Sequence, residues 1–391
     1  AATWRGAIAG IDLKDNYTVV LRMKQPQFDM LKGIEGGMGS VVPKKYIEEK
    51  GVEYFRKNLV GSGPWKVVKF DLGSRLEAEA VDDHWRHVPK FRNLTLLSVS
   101  EETTAVSMLK TGELDIALIS PDSVPSLKTA GIRIISFDRG TNYYAQAFYD
   151  YDNPAKYPLG DLRVRKAAQL AINQQELADK LVSGNGGPII MAFVRPTAFF
   201  WDANQLKLDP FDPEGAKKLM AEAGFANGLS TKLYDVGSGS LLSTIDQAVV
   251  GYWRKVGINA ETVPMEFASF RLNYNPKTNP DIYNTFWIYR TNGYRDFEGV
   301  PTSYHSTKGS GQNLKVPGLD ENIDKFPQTR DLAEKKRLAL EAVVMGKNLY
   351  SRLSVVGVYP TMGVSSKVGS VPRRPVAEIF GYTYEEITHA K

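Results

Sequence analysis

With 391 residues, of which 42% are hydrophobic and 24% charged, the chain has the make-up of a globular protein large enough for two or three domains. It contains no cysteine, which excludes disulfides, thiolate metal sites and a cysteine nucleophile. The net charge of +5 arises from 49 basic and 44 acidic residues scattered together; the densest basic cluster, Lys335-Lys336-Arg337, has Glu334 and Glu341 beside it, the pattern of a solvated helix face and not of a nucleic-acid footprint.

The first ten residues, AATWRGAIAG, lack a charged start followed by an apolar core, so they read as the beginning of a mature or truncated product. No run of roughly 18 apolar residues follows anywhere, so no membrane-spanning helix is expected. Alternation over Tyr17 to Met23, after a turn at Lys14-Asp15-Asn16, predicts a hairpin. Pro43 opens a short helix that Gly51 closes. Trp65 to Phe70, a turn at Asp71 to Ser74 and the alternating RLEAEAV make a second hairpin. The strand LTLLSVS then runs into a helix with Ser100 as its expected N-cap, Glu101 and Glu102 in the first turn, and Gly112 at its end. LDIALIS returns as a strand, so the local unit is β-α-β.

From Asp161 onward helices lengthen. Asp161 caps LRVRKAAQLAI, and Asn173 with Glu176 restarts a helix that Gly184 stops. DPEGAKKLMAEAG has Asp212 at the N-cap, Pro213 at the first position and Gly224 past the end. TKLYDV, NAETVPM and DIYNTFWIYR read as strands, SLLSTIDQAVVGYWRKVG and EFASFRLNY as helices. A long helix from about Arg330 to Arg352 and a last strand, SVVGVYPTMG, complete an α/β pattern without repeats.

The motifs that would signal catalysis fail on inspection. In NLVGSGPWKVVKF, Ser62 has glycines as immediate neighbours, and Val60 occupies the place where a nucleophile elbow needs one. No third glycine follows for a dinucleotide fingerprint, and Pro64 removes a donor from any phosphate cradle. A corner before a strand is the plainer reading. His84 and His87, with Asp82 and Asp83, are the one combination with metal-ligand character, although a surface turn uses such residues more often. Aromatic residues gather at two places. TNYYAQAFYDYDNP carries Tyr143, Tyr144, Phe148, Tyr149 and Tyr151; FWIYRTNGYRDFEG carries Trp287, Tyr289, Arg290, Tyr294, Arg295 and Asp296 at the end of a predicted strand. Single tyrosines are commonly half-buried strand residues, but aromatic walls with a few fixed charges at strand ends suit a cleft for a polar small molecule.

Three stretches resemble a known family, the extracellular solute-binding proteins of ABC importers, family 5, which bind peptides, nickel complexes or opines. NLVGSGPWKVVKFDLGSRLEAEAVDDHW resembles its N-P-V-G-T-G-P segment and hairpin, DLRVRKAAQLAINQQELADKLVSGNGGP its D-x-R-V-R helix pair, and FDPEGAKKLMAEAGF its D-P-x-x-A-K helix. Asn173-Gln174 and His84 depart from the usual residues there. The resemblance implies an α/β, two-lobed periplasmic-binding-protein fold (class II-like, cluster C) with an interlobe ligand cleft and its N-terminal part missing. Residues 1–62 would be the tail of an extra subdomain of lobe one, 63–141 and 356–391 lobe one, and 142–355 lobe two. It also implies hinge closure at crossings near Tyr143 and Gly357 to Tyr359.

The implied function is non-catalytic binding of a small peptide or peptide-like solute for delivery to ABC permease subunits. An opine, a sugar conjugate or a metal complex in the same fold is the alternative, and a hydrolase using Ser62 a distant one. The expected ligand residues are Tyr143, Tyr144, Trp287, Tyr289, Arg290, Arg295, Asp296 and Tyr359, with Asp296 in the place of an amine-binding aspartate and the two arginines favouring an anion. No cofactor, no resident metal and no nucleic acid is expected. The chain would act as a monomer, not membrane-spanning, in the periplasm or another extracytoplasmic space, and lipid-anchored if its precursor carries a lipobox.

Overall fold

The computed structural model describes residues 8–24, 26, 41–137, 141–191, 194, 196, 198–236, 240–266, 269, 279–291, 316, 318–372 and 384–390. Two compact units emerge: Ala1–Leu31 with Gly140–Val358, and Lys32–Arg139 with Tyr359–Lys391. Among the described residues no helix is long and apolar enough to cross a membrane.

In chain order, β1 (Ile8–Leu13) and β2 (Val19–Met23) pair antiparallel as the alternation predicts. Their turn is closed by the Tyr17 N–H donating to Asp15 Oδ1 at 2.7 Å. The second unit opens with α1 (Lys44–Lys50) and α2 (Val52–Lys57), which Gly51 separates with φ +85. Next comes an antiparallel sheet of β3 (Trp65–Asp71), β4 (Arg75–Ala80) and β5 (Asn93–Leu97). Trp65 packs on Phe91 with ring centroids 5.0 Å apart.

The helix α3 (Glu102–Thr111) begins one residue later than its sequence suggested. Its N-cap is Glu101, with no side-chain cap bond, and not Ser100. Glu102 is drawn away instead: its Oε1 accepts from Ser120 N (2.7 Å), Ser120 Oγ (2.7 Å) and Ser123 Oγ (2.5 Å). This ties α3 to the end of β6 (Ile116–Ile119), after which come α4 (Val124–Thr129) and β7 (Arg133–Ser136).

The first unit resumes with β8 (Thr141–Phe148), buried from Asn142 onward, so it must be covered on both faces. Then follow α5 (Leu162–Leu170), α6 (Gln174–Leu181), β9 (Gly186–Gly187), α7 (Pro213–Glu222), β10 (Leu229–Asp235), α8 (Ser240–Arg254), β11 (Ile258–Pro264) and β12 (Thr285–Thr291). After these come α9 (Leu319–Lys325), α10 (Leu332–Asn348) and β13 (Arg352–Val358). The strands form one six-stranded sheet in the order β11-β10-β12-β8-β13-β9. β10, β11 and β12 are parallel; β8 runs antiparallel to both β12 and β13. One face of this sheet carries the largest core: Ala145, Ala147, Leu233, Phe286, Ile288, Leu353 and Val355 meet the apolar stripes of α5, α6 and α8.

The capping residues behave as their chemistry requires. Asp161, Asn173 and Asp212 each accept a backbone N–H, from Arg163, Glu176 and Gly215. Asp212→Ala is expected to cost about 1 kcal/mol, checked by urea unfolding, because the N–H of Gly215 would lose its partner at 2.8 Å. The Gln169 amide replaces a ladder bond where β13 bulges: Ser354 N–H donates to its Oε1 (2.6 Å) and its Nε2 donates to Ser354 O (3.1 Å).

Two expectations are corrected. The long helix stops at Asn348, because Tyr350 adopts φ +47 and Arg352 already pairs in the sheet opposite Gln146. Lys347 and Tyr350 both reach Asp209, at 3.0 and 2.9 Å, and hold the turn. The last predicted strand is two strands, since β13 ends before Tyr359-Pro360 and β14 (Thr361–Val364) joins the second unit, between β6 and β7. Pro360 has no N–H to continue a ladder. The helix predicted over EFASFRLNY falls almost wholly outside the described residues.

Candidate ligand-binding site

Because β8 runs against β12 and β13, its first residues lie at the carboxyl ends of its neighbours. Tyr289 pairs with Tyr144, Arg290 with Tyr143 and Thr291 with Asn142; on the other side Val356 pairs with Tyr143 and Gly357 with Asn142. The two aromatic clusters, far apart in sequence, are thus adjacent at one end of one sheet. It is the end at which the parallel strands β10, β11 and β12 finish, where α/β sheets place ligands.

Alternation sorts these residues between faces. Tyr143 points into the main core and is 5% exposed. Tyr144, Gln146 and Phe148 share the opposite face with Trp287 and Tyr289. Trp287, 1% exposed, packs against Phe148 (5.1 Å) and Tyr234 (5.4 Å), and its indole N–H donates to Thr285 Oγ1 at 3.3 Å. Tyr144 meets Tyr289 edge to face at 6.2 Å. Tyr289 is half-buried, so it keeps surface to offer. Arg290 is seen through its backbone register opposite Tyr143. Arg295 and Asp296 lie outside the described residues. Tyr359 is the first residue of the second unit beyond β13, half-buried, with its carbonyl accepting from Thr361 Oγ1 at 3.3 Å.

Sequence reasoning missed Arg352 and Gln146. The Arg352 guanidinium lies 5.4 Å from the Tyr144 ring centre, and its Nε donates to Gln146 Oε1 at 2.7 Å; both residues are buried. A buried arginine gives this aromatic face a fixed positive charge. The signal was available: Arg352 is the lone charge entering an otherwise apolar strand.

The Gly-Ser-Gly corner has a structural explanation. His84 Nε2 donates to the backbone carbonyl of Ser62 at 3.0 Å, and Trp85 Nε1 donates to the same oxygen at 3.3 Å. His84 Nδ1 lies 3.0 Å from His87 O and 3.2 Å from His87 N. Both ring nitrogens are therefore taken up by the backbone, and the histidine meets the serine carbonyl, not its hydroxyl. Among the described residues, no group of three or more His, Asp or Glu side chains is placed to hold a metal.

The profile of the bacterial extracellular solute-binding proteins, family 5, matches residues 2–311. The chain is 23% identical over 351 residues to the glutathione-binding protein GsiB of Salmonella paratyphi A, covering 86% of this chain and 66% of that protein, just under two-thirds of its length. The substrate-binding protein CtaP of Listeria monocytogenes superimposes with a TM-score of 0.82 at 18% identity, over 97% of this chain and 78% of that one. DppA of Helicobacter pylori, solved in complex with the peptide STSA, gives 0.76 at 17% identity, over 100% and 75%. Likeness at this identity establishes the fold, the mixed α/β architecture of the periplasmic binding proteins. With its profile matched over most of the sequence, the chain belongs to the bacterial extracellular solute-binding proteins, family 5.

Proposed function

We propose that this chain is the ligand-holding part of an extracytoplasmic binding protein that takes a small peptide or peptide-like solute and passes it to an ABC importer, without transforming it. The observation that carries the reading is the register that sets Tyr144 and Tyr289 side by side at the carboxyl end of the sheet, with Arg352 over Tyr144. Aromatic faces pack on peptide planes and apolar side chains, and a fixed guanidinium matches a carboxylate. Two of the proteins described above, GsiB and DppA, bind glutathione and a peptide, which supports the same class. The proposal takes the two lobes to change over near residues 141 and 356, and the protein to work as a monomer. A carboxylate-rich ligand such as an opine is the second reading, favoured by the same buried arginine.

The test is a thermal-shift panel of glutathione, di- to pentapeptides, an opine and a nickel–histidine chelate. A ligand present at 100 times its Kd adds about 2.7 kcal/mol, or a Tm rise of about 3–5 °C for a chain of this length. A peptide shift supports the proposal. A shift with only the opine or the chelate overturns the peptide class. Tyr289→Ala is expected to weaken binding about tenfold by calorimetric titration with little change in Tm; unchanged affinity would remove the aromatic row from the site.

A further inference from the structure

The helix α8 carries an aspartate on its buried stripe. Asp246 is 0% exposed, among Leu242, Ile245, Val249 and Val250, and among the described residues no donor reaches either of its oxygens. An ionised carboxylate with no donors in a dry core costs several kcal/mol. The carboxyl group set against it is that of Asp235, at the carboxyl end of β10, whose Oδ2 accepts from Ser243 Oγ at 2.7 Å. Two carboxyl groups in hydrogen-bonding position are attractive only when one of them supplies a proton to the other.

We propose that Asp246 and Asp235 form a proton-sharing carboxyl pair that, with Ser243, latches the first turns of α8 onto the end of β10. The neutral Asp246 carboxyl donates to the Asp235 carboxylate, and Ser243 fills a second acceptor site on Asp235. The latch sits beside the candidate ligand site, since Asp235 pairs in register with Ile288, the residue before Tyr289. It does not depend on which ligand that site takes.

Among the described residues, the charges around the pair leave Asp246 no cationic partner. From β10 only Asp235 faces it, with Lys232 on the opposite side of the strand. β11 turns Ile258 and Ala260 inward and leaves Glu261 exposed. α6 presents Glu176, which accepts from the Tyr252 hydroxyl at 2.8 Å, further along α8; on α8 itself the remaining charge is Arg254, exposed at the last position. Burial first, and the Asp235 charge second, push the Asp246 carboxyl from 3.8 up to about 9. The sign follows from linkage. The unfolded chain has lost this proton above about pH 4, whereas the folded chain keeps it until about pH 9. Stability from the latch is therefore complete below pH 4, declines as pH rises, and is exhausted above pH 9.

The experiment is urea unfolding of the 391-residue chain and of Asp246→Asn from pH 5 to pH 10, with hydrogen exchange of residues 235–246 corrected for intrinsic rate. The asparagine amide can donate to Asp235 without titrating. The wild-type unfolding constant should rise by up to about tenfold per pH unit toward pH 9, with protection of the α8 start lost in step. Asp246→Asn should flatten that slope and keep protection at pH 9.5. The same slope in wild type and variant overturns the proposal. A wild-type profile flat from pH 5 to 9 overturns it even if the variant does not fold. A Tm rise with calcium or magnesium that Asp246→Asn abolishes would also overturn it, showing that the pair holds a cation and not a proton.

Discussion

Replacing Trp253 by alanine should lower the stability of the first unit by about 3–5 kcal/mol, read as a shift in the urea midpoint at constant slope. Trp253 stands on the apolar stripe of α8, is 0% exposed, and packs its ring on Phe286 with centroids 4.3 Å apart. It is also a cap. Its indole N–H donates to Ala168 O at 2.9 Å, a carbonyl in the last turn of α5, where helix geometry leaves acceptors without an intrahelical partner. Trp253→Phe keeps most of the ring but not that bond, so it should cost less, about 1–3 kcal/mol. The difference between the two variants separates packing from capping. An alanine variant within 1 kcal/mol of wild type would mean that the site collapses around the gap.

Arg165→Met is the second large effect, expected at about 3 kcal/mol. The guanidinium is buried, with Nε donating to Leu349 O at 2.8 Å and Nη1 to Leu159 O at 2.7 Å. Leu349 caps the end of α10, so one side chain joins α5, the turn before it and the far helix. The Tyr149 ring lies 4.4 Å from the guanidinium carbon. Burial lowers the pKa of this arginine and raises that of Tyr149. Methionine fills much of the volume but strands both carbonyls. Lysine retains charge but lacks the fork that serves two acceptors, so Arg165→Lys should recover only part of the loss. Arg163, two residues earlier in the same motif, pairs with Asp161 near the surface and donates to Glu222 O, and Arg163→Ala should cost clearly less than Arg165→Met. Equal costs at 163 and 165 would contradict this division of roles.

These residues also show what could be read in advance. The D-x-R-V-R stretch was legible as a helix start because capping is local: Asp161 needs only the N–H of Arg163, two residues away. The same holds for Asn173 and Asp212. The end of α10 was not legible, since nothing in KNLYSRL forbids helix. Asp209, brought in from another part of the chain, holds Tyr350 and Lys347 where the helix stops. Nor could Ser100 be foreseen losing the N-cap, when the competing contact runs from Glu102 to serines at 120 and 123.

The candidate site divides in the same way. Composition and alternation marked Tyr144 and Tyr289 as aromatic strand residues, but only strand register made them neighbours. Alternation alone also could not say that Tyr143 faces the core while Tyr144 does not, because a face is defined by what packs on it. Asp246 is the sharpest case. On a helical stripe an aspartate reads as solvated, and it becomes a proton-holding group only because β10 brings Asp235 against it and the core excludes water. By itself the sequence determined the helices with their caps, the strand alternation, the absence of catalytic motifs and the kinship of the chain, all of which are short-range or compositional. Tertiary structure alone decided register, burial and the pairing of distant charges, because those depend on which segments meet after loops of any length have closed.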